Sequence, residues 1–217
     1  MIKARCICKN YGSRPVLKNL SLEVDAGCFC MITGQSGCGK STLLNVLSRL
    51  DSFDSGQLLV MDKDITTLTH SELSAMRRKD TGFIFQSYNL ISSMTAVENV
   101  ALPLKYAGQN YFYRRSRAVK ELERMGLGDK IHHRPNQLSG GQQQRVAVAR
   151  ALITHPKVLF CDEPTGNLDP ESSAMVMNGI LKLKKNGSAI IMITHDHSLL
   201  EYADISYRME NGTLKMI

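Results

Sequence analysis

One stretch, Gly34-Gln35-Ser36-Gly37-Cys38-Gly39-Lys40-Ser41-Thr42, constrains this sequence more than any other feature. It matches the pattern G-x-x-x-x-G-K-[ST], whose glycines let the backbone turn so that successive N–H groups point at phosphate oxygens. Lys40 adds a positive charge for the β- and γ-phosphates, and the Ser41 hydroxyl suits Mg²⁺. All of these residues are therefore predicted to bind a nucleoside triphosphate.

The residues around this loop favour the same interpretation. The apolar run at 28–33 is typical of a buried strand, and residues 41–48 predict a helix that begins at the loop. The N-terminus of a helix carries a partial positive charge that attracts an anion. A glycine-rich turn that matched the pattern by chance would lack this strand, loop and helix.

Composition limits the possible classes of protein. The 217 residues are 43% hydrophobic and 22% charged, which predicts one globular unit with no disordered tail. No apolar run approaches the roughly 20 residues that span a bilayer, and the start lacks the apolar centre of a signal peptide. We therefore expect a cytoplasmic protein whose role at a membrane requires a separate partner chain.

The net charge of +7 has three possible origins: a nucleic-acid surface, a membrane-facing surface or a generally basic chain. The densest basic cluster is Arg114, Arg115 and Arg117, and residues 77–79 form the next. Tyr111, Phe112 and Tyr113 lie nearby, but neither cluster interleaves aromatics with basic residues as a base-stacking surface does. The sequence favours solvated helix faces, and no nucleic-acid partner is expected.

Two C-x-C pairs, Cys6/Cys8 and Cys28/Cys30, raise the question of a metal site. Four thiolates suit zinc, but structural zinc sites use the wider C-x₂₋₄-C spacing. Both pairs fall in predicted strands, where residues i and i+2 share a face and a free cysteine packs as a small apolar residue. The pattern favours cysteines buried in the core.

Strands alternate with helices along the chain, which predicts a mostly parallel sheet. The strands are expected at 2–8, 21–24, 28–33, 57–61, 81–85, 157–161 and 189–193, and the helices at 41–48, 70–78, 96–104, 114–124, 143–152 and 172–185. Residues 95–125 contain no strand signal, so they are predicted to be a helical insert in the sheet domain.

Polar residues follow several of these strands directly. They are the glycine-rich loop, Gln86, Asp162 with Glu163, and His195. The carboxyl ends of parallel strands lie at one edge of a sheet, so we expect these residues to form a single site. There Asp162 would hold Mg²⁺, Glu163 would act as general base, His195 would bond the γ-phosphate, and Gln86 would reach the metal or the water.

A second glycine motif is Leu138-Ser139-Gly140-Gly141-Gln142, in which Ser139 is a plausible helix N-cap. It is either an ordinary cap and turn or a second anion site at a helix start. Asp162 follows Ser139 by 23 residues. With its motifs in this order and spacing, the chain resembles the ATP-binding subunit of ABC transporters.

The resemblance covers residues 1–217 as one domain and implies an ABC ATPase fold. That fold is an α/β P-loop NTPase with a mostly parallel central sheet, an antiparallel β-subdomain and an inserted α-helical subdomain. The catalytic core would comprise about residues 1–86 and 157–217, and the helical subdomain about residues 87–156.

The resemblance also implies roles and partners. Tyr11 would stack on adenine, residues 138–142 would be the signature motif, and Asn167, Leu168 and Asp169 would touch an opposite subunit. ATP and Mg²⁺ would bind in a head-to-tail homodimer, between the loop of one chain and the Ser139-Gly140-Gly141 segment of the other. This arrangement would explain why one chain carries two phosphate-binding helix starts.

Residues 82–86, 94–104 and 163–169 resemble one group in particular, the macrolide-efflux, antimicrobial-peptide-export and lipoprotein-releasing ATPases. This implies an ATPase bound through an integral permease to the cytoplasmic side of the plasma (inner) membrane, for export or extraction of a hydrophobic compound, peptide or lipoprotein. The alternative is a non-transport ABC ATPase that acts on a membrane partner in cell division.

Other ABC-type ATPases fit less well. Those of DNA repair carry long coiled coils between the two motifs, whereas Gly34 and Ser139 are 105 residues apart without sustained heptads. Translation-associated proteins carry two cassettes, and a non-hydrolysing module would lack Glu163 and His195.

Two residues depart from the family pattern. Cys38 replaces a small Ser or Ala, and Cys28 stands where Glu is usual. Cys38 lies near Lys40 at a helix N-terminus, which favours a reactive thiolate; the alternative is a thiol packed away from the nucleotide.

Overall fold

A computed structural model describes residues 1–166 and 168–217, in which the strands form two sheets. The strands are β1 (Ile2–Tyr11), β2 (Arg14–Val24), β3 (Phe29–Gly34), β4 (Ser55–Val60), β5 (Lys63–Asp64), β6 (Thr81–Ile84), β7 (Val158–Asp162), β8 (Ala189–Ile193), β9 (Ile205–Glu210) and β10 (Thr213–Met216). The helices are α1 (Lys40–Leu47), α2 (His70–Asp80), α3 (Ala96–Tyr106), α4 (Tyr111–Arg124), α5 (Gly140–Leu152) and α6 (Pro170–Lys185).

The central sheet has the strand order β10-β9-β3-β8-β7-β6. β9, β3, β8, β7 and β6 pair in parallel, and β10 pairs with β9 in the antiparallel sense. β8 is buried along its whole length, and β3 and β7 are buried except at their last residues, as expected for parallel strands covered on both faces.

The smaller sheet, β2-β1-β4-β5, is antiparallel. β1 lies between β2 and β4 and pairs with both. With a mostly parallel central sheet, this antiparallel sheet and a helical segment between β6 and β7, the predicted fold class is confirmed.

The alternation of side chains along β3 divides the core in two. Phe29 and Met31 face one cluster, which contains Val100 of α3, Leu122 of α4 and Val148 of α5. The intervening residues of β3 face a second cluster, built with α1 and the antiparallel sheet. Helices α3 to α6 therefore cover one face of the central sheet, while the smaller sheet, α1 and α2 cover the other. The boundaries near 86/87 and 156/157 remain predictions.

Several elements differ from the predicted bounds. β2 begins at Arg14 rather than at Ser21, and β5, β9 and β10 have no counterpart among the predicted strands. These segments are short or half-exposed and rich in polar residues, so they give no apolar run. β9 takes its strand conformation by pairing with the distant β3, whereas β2, β5 and β10 each pair with the strand that precedes them in the chain.

The expectation of buried C-x-C cysteines is wrong for Cys6, which is exposed. The pairing of β1 with β2 shifts register between Ala4 and Ile7, and Cys6 has a φ of 51°. This bulge breaks the alternation that would have placed both cysteines of the pair on one face. Cys30 is buried, and burial raises the pKa of its thiol to about 12.

Within the residues described, no helix has both the length and the apolar character needed to cross a membrane.

Asn99 fixes the segment that connects the end of β6 to α3. Its side chain is fully buried, accepts from the Ile91 N–H at 2.8 Å and donates to the carbonyl oxygens of Ile91, Met94 and Thr95 at 3.1 to 3.2 Å. Arg150 of α5 holds the start of the same segment, donating to the carbonyl oxygens of Tyr88 and Asn89 at 2.8 and 2.6 Å.

We expect Asn99→Ala to destabilise the protein by about 2–4 kcal/mol, because it leaves buried backbone groups without partners. The measurement is urea denaturation followed by circular dichroism. Asn136→Ala, at an exposed position, is the matched control and is expected to change stability by less than about 0.5 kcal/mol. Equal stabilities of the two variants would contradict this role of Asn99.

Candidate active site

The glycine-rich loop between β3 and α1 is held by close packing from two other strands. A Cβ at Gly34, whose φ is 152°, would lie 2.5 Å from the Met209 carbonyl oxygen in β9. A Cβ at Gly39, whose φ is 108°, would lie 3.1 Å from the Val16 carbonyl oxygen in β2. Glycine is therefore required at both positions by backbone conformation and by space.

Lys40 supplies the positive charge of the loop. Its Nζ donates to the carbonyl oxygens of Gly34 and Gln35, each at 2.8 Å. Both acceptors are neutral carbonyl oxygens, so these two hydrogen bonds do not compensate the positive charge of the side chain. The first turn of α1 contains no acidic residue, and so the partial positive charge of the helix start is not neutralised there.

A cavity of about 570 Å³ opens beside this loop. Its lining includes most of the residues predicted to bind or hydrolyse a nucleotide: Tyr11, Gly34, Ser36, Gly37, Gly39, Lys40, Ser41, Thr42, Gln86, Asp162, Glu163 and His195. The polar residues that follow β3, β6, β7 and β8 thus meet at one edge of the sheet. Arg14 and Val16 also line the cavity, although no motif in the sequence marks them.

Asp162, the last residue of β7, contacts the start of α1. The Ser41 hydroxyl hydrogen-bonds to its carboxylate. Burial raises the pKa of Asp162 above its usual value, and the Ser41 hydrogen bond and the Lys40 charge offset this only in part. The structure thus places a half-buried carboxylate beside a hydroxyl and an ammonium.

Glu163 and His195 lie side by side at the ends of β7 and β8. The Glu163 N–H donates to the Ile193 carbonyl at 2.9 Å, which aligns the two strand ends. Oε2 of Glu163 contacts Nδ1 of His195. The carboxylate is only 13% exposed and lines the cavity, whereas the neighbouring His195 side chain is largely exposed.

Tyr11 stands at the rim of the cavity, about half exposed. Its hydroxyl donates to Asp51 Oδ2 at 2.5 Å, and the buried Lys9 ammonium contacts the other carboxylate oxygen at 3.0 Å. The hydrogen bond to Asp51 raises the pKa of Tyr11 and lowers that of Asp51. Asp51 was not predicted, because it lies in a polar turn with no motif.

Gln35 and Cys38, which were also predicted to contact the nucleotide, line a different cavity. Its volume is about 520 Å³, and it is bounded by Met209 and Asn211. Cys38 is half-buried and packs against the core beneath the loop, in agreement with the alternative of a thiol packed away.

The motif at residues 138–142 contributes no residue to the lining of the 570 Å³ cavity. Ser139 caps α5: its Oγ accepts from the Gln142 N–H at 3.3 Å, and Gln142 Oε1 accepts from the Ser139 N–H at 3.0 Å. A Cβ at Gly141 would meet Leu168 at 3.4 Å. Ser139 and Gly140 are exposed, Leu138 is buried, and Asn167 lies outside the described residues.

The family model described as ABC transporter matches residues 17–166. The chain belongs to the ABC transporter family. It is 46% identical over 218 residues to the uncharacterized ABC transporter ATP-binding protein MJ1508 of Methanocaldococcus jannaschii, covering 99% of this chain and 97% of that protein. It is 44% identical over 214 residues to the macrolide export ATP-binding/permease protein MacB of Campylobacter jejuni, covering 99% of this chain but only 33% of MacB.

Solved structures agree with the family assignment. The dimeric MJ0796 cassette in a post-hydrolysis state, bound to ADP and Pi, superposes with a TM-score of 0.94 at 36% identity, covering 99% of this chain and 97% of that one. A second dimeric structure of MJ0796, described as a bacterial ABC transporter cassette, gives a TM-score of 0.94 at 38% identity with the same coverage. This chain is an ABC-type ATPase, and its substrate is ATP.

Asp162 gives the cassette a stability that depends on pH. Its pKa in the folded protein is raised above that of the unfolded chain, so its charge opposes folding at neutral pH. This penalty disappears as the pH falls below the unfolded pKa of about 3.9. Asp162→Asn should therefore make the nucleotide-free protein more stable at pH 7, and the gain should shrink toward pH 4.

The measurement is urea denaturation at pH 7 and pH 4.5 without nucleotide or metal. Asp64→Asn is the opposite control, because hydrogen bonds from Thr66 lower the pKa of Asp64, so its charge favours folding. That variant should lose stability at pH 7. If the nucleotide-free Asp162→Asn variant is less stable than the unmutated protein at pH 7, burial is not the main influence on the pKa of Asp162.

Proposed function

We propose that this chain is the ATP-hydrolysing subunit that drives a separate membrane permease. The permease would export or extract a hydrophobic compound, a peptide or a lipoprotein. The observation that carries the proposal is the pairing of Glu163 with His195 at the mouth of a phosphate-binding loop. The MacB relatives, which are named as macrolide exporters with a permease part, support the direction and the partner.

The phosphates are proposed to bind residues 34–42 through backbone N–H groups and the Lys40 ammonium. Mg²⁺ fits the oxygen ligands that meet there, namely the Ser41 hydroxyl, the Asp162 carboxylate and the Gln86 amide. When bound, the ion would neutralise charge on the β- and γ-phosphates. Tyr11 would provide the ring on which adenine stacks, and Asp51 would hold its hydroxyl.

Glu163 is proposed to be the general base. Its carboxylate accepts a proton from water as the water oxygen bonds to the γ-phosphorus, and the bond from that phosphorus to the bridging oxygen breaks with its electrons on ADP. His195 is proposed to hold the carboxylate through Nδ1 and to form a hydrogen bond with the γ-phosphate through Nε2.

The cassette is proposed to act as a head-to-tail homodimer. The 570 Å³ cavity contains phosphate-binding and hydrolytic residues but nothing from residues 138–142, whose capped helix start is exposed. In a two-fold dimer, the Ser139-Gly140-Gly141 segment of each chain would close the cavity of the other. The dimeric state of MJ0796 supports this assembly.

The proposed location follows from the partner. Bound to an integral permease, the dimer would lie on the cytoplasmic side of the plasma (inner) membrane as a peripheral subunit. The chain spans about a third of the length of the MacB proteins it matches, so their permease activity belongs to sequence that this chain does not contain.

Glu163→Gln should lower the ATPase kcat by about 10²–10⁴-fold, because the amide cannot accept the proton from water. Nucleotide affinity should stay within a factor of about three, since the phosphate loop and Asp162 are unchanged. Steady-state phosphate release and equilibrium binding of a fluorescent ATP analogue measure the two effects. The exposed Glu123→Gln on α4 is the control, and near-normal turnover by Glu163→Gln would remove Glu163 from this role.

Ser139→Arg should leave ATP binding by the monomer intact but abolish ATP-dependent dimers in size-exclusion chromatography, tested in the Glu163→Gln background. Ser71→Arg, at an exposed helix start, is the control.

Mixing Ser139→Arg with Lys40→Ala, each in the Glu163→Gln background, tests the head-to-tail arrangement directly. In a head-to-tail dimer of the two variants, both defects fall in one composite site, and the other site is intact.

The mixture should therefore form ATP-dependent dimers, although neither variant forms them alone. If mixing restores nothing, or if Ser139→Arg still dimerises, the head-to-tail arrangement does not apply to this chain.

A further inference from the structure

Gln144 is a buried polar residue of α5 that does not line the 570 Å³ cavity. Its side chain is only 2% exposed, and its Nε2 donates to the carbonyl oxygen of Pro164 at 3.0 Å. Pro164 is itself buried and directly follows Glu163. A side chain of the helical segment therefore bonds to the backbone beside the proposed general base.

The backbone at Glu163 needs such support. Its φ is 50°, in the left-handed region that residues other than glycine rarely adopt. A residue keeps this conformation only where the surrounding structure holds it. The chain then turns sharply, and the Gly166 N–H donates to the Glu163 carbonyl at 3.4 Å. We call residues 163–166 the 163–166 turn.

The 163–166 turn also packs against the carboxylate that it carries. A Cβ at Gly166 would lie only 3.3 Å from Oε2 of Glu163, so the backbone of Gly166 lies close beneath that oxygen. A shift of the turn would therefore move the Glu163 carboxylate with it.

One face of α5 holds the segment that follows Glu163. Besides the bond from Gln144 to Pro164, a Cβ at Gly141 would lie 3.4 Å from the Leu168 side chain. Residues 141 and 144 are three positions apart, so they share a face of the helix. Val148 of the same helix lies in the core cluster. The helix that contacts the 163–166 turn is thus itself fixed by the core.

The Gln144 amide is poorly explained by stability alone. Its Oε1 is buried, and no atom of residues 1–166 or 168–217 forms a hydrogen bond with it. An unpaired buried oxygen costs at least as much free energy as one neutral hydrogen bond contributes net. An apolar side chain of similar length would fill the same space without that cost. What the amide adds is a directed donor for the carbonyl oxygen of Pro164.

We propose that Gln144 is a positioning residue for ATP hydrolysis. By holding the Pro164 carbonyl it fixes the 163–166 turn, and so it directs the Glu163 carboxylate at the attacking water. The inference rests on the proposed role of Glu163 as general base. Because Gln144 does not line the cavity, its loss affects the chemical step and leaves the binding of ATP intact.

Gln144→Met should lower the ATPase kcat about 10- to 100-fold, because a misplacement of about 1 Å slows a reaction on this scale. The KM for ATP should stay within about twofold, since the phosphate loop is unchanged. Steady-state phosphate release over a range of ATP concentrations measures both. Gln144→Leu is a second apolar variant and should give the same result. A raised KM at an unchanged kcat would contradict the proposed role.

Ser188→Ala is the matched control. Ser188 is buried just before β8, and its Oγ donates to the carbonyl oxygen of another proline, Pro156, at 2.7 Å. The variant removes a bond of the same kind at the opposite edge of the sheet, and its kcat should change less than about twofold. Melting curves by circular dichroism show that each variant is folded at the assay temperature. If Ser188→Ala loses as much kcat as Gln144→Met, the loss reflects general destabilisation and the proposal is wrong.

The Glu163→Gln background tests whether Gln144 acts through Glu163. There Gln144→Met should change the single-turnover rate less than about twofold, because no base is left to position. The same 10- to 100-fold loss in both backgrounds overturns the proposal. So does a normal kcat in the Gln144→Met single variant when Glu163→Gln alone has lost its turnover. Near-normal turnover by Glu163→Gln is a distinct result, which removes the proposed base and this inference together.

Discussion

The parallel alignment of β3, β8 and β7 is the constraint on which the active site depends. The three strands are apolar and almost wholly buried, and their carboxyl ends carry the phosphate loop, His195, and Asp162 with Glu163. Two backbone hydrogen bonds lock these ends together, from Glu163 to Ile193 at 2.9 Å and from Thr194 to Ile32 at 3.3 Å. Because a slip of one residue would turn each side chain to the opposite face, the dry core fixes the polar chemistry at its edge.

The loop itself is clamped between the two sheets. Met209 of the central sheet and Val16 of the antiparallel sheet approach it so closely that only glycine fits at positions 34 and 39. Tyr11 and Arg14 of the antiparallel sheet also line the cavity. The smaller sheet therefore completes the cavity in addition to covering one face of the core.

The helical segment serves the same core from the other side. Its apolar residues pack on Phe29 and Met31 of β3, so its position is tied to the strand that carries the loop. Its outer part presents one feature that the cavity of the same chain does not use, the capped helix start at Ser139. This packing thus relates the proposed contact with a second copy to the proposed site of hydrolysis.

The sequence by itself determined the features encoded over short distances. Residues 34–42 specify the phosphate loop, and the apolar runs of β3, β7 and β8 specify buried parallel strands, because neighbouring residues set the conformation there. The polar residues that follow these strands were predicted to meet because the carboxyl ends of parallel strands lie at one edge of a sheet. The family pattern added the role proposed for residues 138–142.

Only the tertiary structure decided features that depend on distant contacts. The bond from Tyr11 to Asp51 joins residues 40 positions apart, the bulge at Cys6 arises in pairing with β2, and β9 becomes a strand through pairing with β3. Likewise, Cys38 lies beneath the loop, where it packs against a core cluster that residues from several distant strands build. Local pattern cannot encode such contacts, because each depends on the position of a partner that the rest of the fold must first place.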